Sequence, residues 1–112
     1  MEKGDCVNKV VLMGRLTKDP DIRYSSGDTA KPIVSFTLAV SRRSAGKGGR
    51  NEADFINCIS RDRNAEFAEK AFRKGMRVII GGHLHTWSHV NFDGERVYDT
   101  EIVVENQEIA GS

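Results

Sequence analysis

The chain has little of what would place it at once in a special class. None of its 112 residues form an apolar run near the ~20 that a membrane-crossing helix needs. The opening MEKGDC has no apolar stretch behind its charges, so it does not read as a signal peptide, and a cytoplasmic protein with no membrane partner is expected. Cysteine is limited to Cys6 and Cys58, with no CxxC pair. Cys58 falls in an apolar strand pattern, which favours a buried reduced thiol over a disulfide or a metal ligand. Net charge is only +1, so the total does not argue for a strongly basic class. No GxSxG surrounds Ser41 or Ser60, and the glycine-rich SAGKGGRN at 44–51 has no GK[ST] opening a helix. Nothing here supports an enzyme or a cofactor. Internal repeats and linkers are also missing, so one domain is expected over residues 1–112.

What is there is strand pattern. Val10-Val11-Leu12-Met13 is apolar at every position, which predicts a first strand buried on both sides. Gly14 predicts a bulge or bend, and Asp19-Pro20 stops the run because Pro20 has no N–H to give a ladder. Residues 25–32, SSGDTAKP, read as a loop. From Val34 to Arg42 the pattern alternates, with Val34, Phe36, Leu38 and Val40 on a core face. Ala53 to Ser60 is a third strand: Phe55, Asn57, Ile59 and Arg61 share one side, and Ile56, Cys58 and Ser60 the other. A helix follows, capped by Asp62 or Asn64, with Ala65, Ala68 and Phe72 as its stripe and Lys74-Gly75 as its end. Met76 to Trp87 is a fourth strand bent at Gly81-Gly82, and Val97 to Glu105 a fifth, joined by a hairpin turn at Asp93-Gly94. The order predicts an all-β, five-stranded OB-fold barrel with one short helix between strands three and four.

Charge is unevenly spread. Arg42, Arg43, Lys47 and Arg50 form a run with no acid between them, and basic residues outnumber acids from Arg61 to Arg77. After residue 90 acids dominate: Asp93, Glu95, Asp99, Glu101, Glu105 and Glu108 face only Arg96. One cationic face and scattered solvated charge both fit this distribution.

Residues 8–24, NKVVLMGRLTKDPDIRY, resemble the N-terminal signature of bacterial single-stranded DNA-binding proteins, roughly NKV-L-G-L--DPE-RY. DFINCISRDRNAEFAEKAFRKG resembles that family's third strand and helix, GGHLHTW its fourth strand, and GERVYDTEIVVE its closing strand. The resemblance runs from Val7 to about Glu105. It implies an OB fold that binds single-stranded DNA without sequence preference, in replication, recombination and repair, as a homotetramer or at least a dimer. Phe55 and His89 fall on the family's stacking positions. Trp87 ends a strand beside the finger loop, and Phe92 sits at the hairpin tip. The chain departs from the family at Ser44 and Arg61, where aromatics are usual, and this predicts a greater reliance on charge. Lys9, Arg15, Arg23, Arg42, Arg43, Lys47, Arg50, Arg61, Lys74 and Arg77 are the candidate phosphate contacts. His83, His85 and His89 lie close in sequence, but no acid or thiol completes an obvious metal set. The chain ends NQEIAGS, without the family's flexible tail and acidic tip, so either the sequence is truncated or the member is tailless; partners recruited through that tip are doubtful. The competing reading is an OB-fold replication accessory subunit that works through protein contacts.

Overall fold

The computed structural model describes residues 6–27, 29–42 and 52–111. In chain order its elements are β1 (Val10–Leu16), β2 (Asp21–Tyr24), β3 (Pro32–Ser41), β4 (Ala53–Arg61), α1 (Asp62–Ala71), β5 (Arg77–Val90) and β6 (Arg96–Gly111). The strands form one sheet in the order β1-β5-β6-β4-β3-β2, and β1 also pairs with β3, which closes a ring. This is the OB barrel that the sequence predicted. The strand count differs because Asp19-Pro20 cuts the first strand into β1 and β2. The helix therefore lies between β4 and β5.

Alternation fixed the faces of β3 and β4. Val34, Phe36, Leu38, Cys58 and Ser60 are buried in the barrel with Leu16, Val78, Ile80, Ile102 and Val104. The helix plugs it through Ala65, Ala68 and Phe72, and the Phe72 ring meets Phe36 edge-on at 5.4 Å. Ser60 is buried too, and its hydroxyl donates to the Gln107 side-chain oxygen at 3.0 Å. Gln107 in turn donates to the Asn64 carbonyl at 2.6 Å, which ties the helix start to β6.

Four expectations change. Val10 and Leu12 pack against the core, but Val11 and Met13 are 66% and 52% exposed, so β1 has one buried face rather than two. Of the bulge or bend expected at Gly14, the bulge is absent, since β1 pairs with β5 without a register shift through it. A Cβ there would lie 2.6 Å from the Ala39 carbonyl, so glycine is needed where β1 crosses close to β3. Neither Asp62 nor Asn64 caps the helix. Arg61 takes the N-cap position without a side-chain bond, and Asn64 spends its amide on the Glu105 carbonyl at 3.2 Å. The helix ends at Ala71, and Phe72 turns extended to reach the core, leaving Gly75, at φ +85, in the following turn.

The motif residues near the N-terminus are structural. The Asn8 amide donates to the Leu84 carbonyl at 2.8 Å, and its oxygen accepts the Leu84 N–H at 2.9 Å. A side chain thus extends the β1–β5 ladder beyond its Val10–Gly82 pair. Asp19 accepts the Lys74 N–H at 2.8 Å, and the Gly75 N–H donates to the Leu16 carbonyl at 2.8 Å. The chain leaving the helix is therefore stitched to the end of β1. Gly81 and Gly82, where a bend was expected, carry a register shift between β5 and β6. Beyond them the β5–β6 hairpin runs past the barrel to a turn in which Asn91 Oδ1 accepts the N–H groups of Asp93 and Glu95. Among the described residues no helix is long and apolar enough to cross a membrane.

Burial pushes the Cys58 thiol up to about 12, with the nearby Glu101 charge adding to the effect. Only a thiolate attacks a disulfide reagent at useful rates. In folded protein at pH 8, Cys58 is expected to resist such a reagent for as long as the fold holds, and to react at once in denaturant. Equal rates at Cys58 with and without denaturant, read by mass spectrometry, would contradict this placement.

Candidate nucleic-acid interface

Cross-strand partners share a face of a sheet, so the register gives the barrel's outer surface directly. From one end of β3–β4 to the other the outward rows are Ala39 with Phe55, Thr37 with Asn57, Ser35 with Ile59, and Ile33 with Arg61. β2 extends the last two rows, placing Asp21 beside Ser35 and Arg23 beside Ile33. On the other flank Ile59 pairs with Val103 of β6, which pairs with His83 of β5. Every second residue outward from His83 keeps that side: His85 against Glu101, Trp87 against Asp99, and His89 against Val97. Phe55 on β4 and the His83–His85–Trp87–His89 row on β5 thus look out from the same side of the sheet, with β6 between them.

The aromatic candidates are open. Phe55 is 67% exposed and Trp87 46% exposed. The Trp87 and His89 rings lie 5.4 Å apart at a 34° tilt, so they offer one broad patch. Phe92 stands fully exposed at the hairpin tip. Tyr98 is also exposed and was not foreseen. It lies on the opposite face of the hairpin, paired with Ser88, and is open because the hairpin outruns the barrel. No local pattern in the sequence signals that overhang.

The cationic candidates divide by partner. Arg42 bridges Glu52 and Asp54, both at 3.0 Å, and its pKa is raised chiefly by the Asp54 hydrogen bond. Lys9 pairs with Glu105 at 2.9 Å, and His83 Nδ1 lies 3.1 Å from the other oxygen of that carboxylate. Glu105 is held below the usual carboxylate range, first by the Lys9 hydrogen bond and then by that of His83. Arg15 donates to the Gly75 carbonyl at 2.9 Å and Arg77 to the Ala110 carbonyl at 3.2 Å. Those two arginines are direct cross-strand partners, so their charges stand together. Arg23 is only 3.9 Å from Asp21, and Arg61 and the Lys74 side chain are exposed. Arg43, Lys47 and Arg50, with Ser44, lie outside the described residues.

The surface also carries acids that the charge count did not place. Asp21 and Glu101 line a shallow cleft with Lys18, Ser35, Thr37 and Asn57 in the middle of the outer face. Asp99 sits 3.6 Å from His89 Nδ1. Among the described residues no three metal-binding side chains converge. The arrangement offers rings for stacking, amide and hydroxyl groups for base edges, and cations at the margins. In OB folds this same sheet face and the loops beside it take up oligonucleotides.

A profile of the single-strand binding protein family matches residues 7–110. The single-stranded DNA-binding protein of Enterococcus faecalis is 44% identical over 106 residues, 95% of this chain and 55% of that protein. Single-stranded DNA-binding protein A of Bacillus subtilis is 43% identical over 100 residues, 89% of this chain and 57% of its own length. For single-stranded DNA-binding protein 1 of Streptococcus pyogenes the values are 43% over 103 residues, 92% and 78%. The chain spans little more than half the length of the first two. With a profile match over nearly all its residues and the barrel that goes with it, the chain belongs to the single-strand binding protein family.

Proposed function

We propose that this chain binds single-stranded DNA without sequence preference, and so protects and organises it in the cytoplasm during replication, recombination and repair. The observation that carries this reading is the exposure of Phe55 and Trp87 on one side of the barrel, where neither ring serves the core. Aromatic faces stack on any base, which gives affinity without selectivity. His89 and Phe92 extend the stacking surface. Lys9, Arg15, Arg23, Arg42, Arg61, Lys74 and Arg77 supply phosphate contacts, several after exchanging a present partner. Arg43, Lys47 and Arg50 join them by sequence.

The same reading includes assembly into a homotetramer, or at least a dimer. β1 pairs with β3 only at Arg15 and Leu16, so Val10–Met13 has a second edge without a pairing partner among the described residues. Val11, Met13 and Ile79 are exposed beside it. An open apolar edge favours addition of another strand.

Trp87 is the one tryptophan, so its fluorescence reports this surface alone. Titration with oligo-dT at several salt concentrations is expected to give saturable quenching. The affinity should fall with salt by a log–log slope of about 0.7 for each phosphate neutralised. No quenching and no retardation of labelled oligo-dT in a gel would overturn the proposal and favour a protein-contact module.

A further inference from the structure

We propose that Arg23 and Arg61 grip a single backbone phosphate between them, over Ile33, and that Asp21 is the group this phosphate displaces. The inference rests on the DNA-binding reading above and adds a defined subsite to it.

The register places the two arginines on either side of one residue. Arg23 pairs with Ile33 across β2–β3, and Ile33 pairs with Arg61 across β3–β4. All three side chains therefore leave the same face. Two strand spacings separate the arginine backbones by about 10 Å. Guanidinium arms are long enough to converge on one anion above that base. Ile33 gives their stems an apolar floor and competes for none of their N–H donors.

Partner inventory separates this pair from Arg42, Lys9, Arg15 and Arg77. Arg42 is held by two carboxylates, Lys9 by one, and Arg15 and Arg77 by backbone carbonyls. The Arg61 side chain has no hydrogen bond or ion pair among the described residues. Arg23 has only Asp21 at 3.9 Å, with 80% and 61% of the two side chains open to solvent, a contact of little strength. A phosphate arriving here has one weak competitor to displace. Two planar forks around one anion also give the short, charge-assisted bonds that arginine forms best.

Position fits as well. Phe55 and Arg61 stand at opposite ends of β4, about 20 Å apart along the strand. Between them lies the cleft that holds Asp21 and Glu101. Those carboxylates can accept hydrogen bonds from base amino groups, and Lys18 on the same cleft offsets part of their charge. A strand laid along β4 therefore stacks at the Phe55 end, turns its bases to the middle, and brings its backbone to the arginine end.

The test is the binding of labelled oligo-dT at several salt concentrations to the full chain and its variants. Arg23→Gln/Arg61→Gln should lower the log–log salt slope by about 0.7 for each engaged chain, the share of one phosphate, and weaken low-salt binding several-fold. Asp21→Asn should tighten binding two- to fivefold, and the gain should vanish when Arg23→Gln is also present. An unchanged slope in the double variant overturns the proposal, as does a loss of about 1.4, which would mean two separate phosphates. So does an Asp21→Asn gain that survives Arg23→Gln, because that gain is general charge removal. Failure of the unaltered chain to bind oligo-dT would overturn the parent reading instead. The three positions are exposed, and unchanged thermal melts confirm that each variant is folded.

Discussion

Phe55→Ala is expected to weaken oligo-dT binding by about 5- to 150-fold while leaving the unfolding midpoint unchanged. The range corresponds to the ~1–3 kcal/mol that a stacked base contributes. The selectivity for binding over stability follows from geometry: the ring is 67% exposed and pairs across β3–β4 with Ala39, so the core loses nothing. Trp87→Ala should act in the same direction. The two together should lose nearly the sum in free energy if each ring holds a different base. Fluorescence anisotropy of labelled DNA is the measurement, since Trp87→Ala removes the intrinsic signal. A change under twofold in Phe55→Ala would remove this ring from the interface.

Phe72→Ala should have the largest effect on stability, a loss of about 3–5 kcal/mol. Phe72 is fully buried and meets Phe36 and Phe67 edge-on at 5.4 and 5.8 Å. It is the main side chain by which the helix closes the barrel, and its neighbours on that stripe, Ala65 and Ala68, are too small to fill the space. Urea unfolding gives the number directly. A loss below about 1 kcal/mol would mean that the helix rides on the barrel without plugging it.

Period-two patterns were legible wherever polar and apolar residues truly alternate. Val34, Phe36 and Leu38, and the opposed faces of Phe55 and Ile56, could be assigned from the letters alone. Val10-Val11-Leu12-Met13 defeated the method because every position is apolar, so the pattern holds no information about which two face out. Helix capping failed for a different reason. Asp62 sits at φ +56, outside the geometry of a capping residue, and Asn64 is drawn to the β6 carbonyls, a contact distant in sequence. Charge was the least legible property. Arg42 heads a run with no acid inside it, yet Glu52 and Asp54 reach it from across the β3–β4 connection. The candidate rings were readable as outward-facing, but the acids among them became visible only once β6 was seen beside β4.

The pairing of β1 with β5 bears on how the chain is made. Val10 must wait for Gly82, and Gly14 for Val78, so the first strand leaves the ribosome long before its partner exists. At about 5–20 residues per second the delay is several seconds. Throughout that time the nascent segment Val10–Met13 has no ladder to join, and chaperone occupancy or crowding of polysomes would be felt there first.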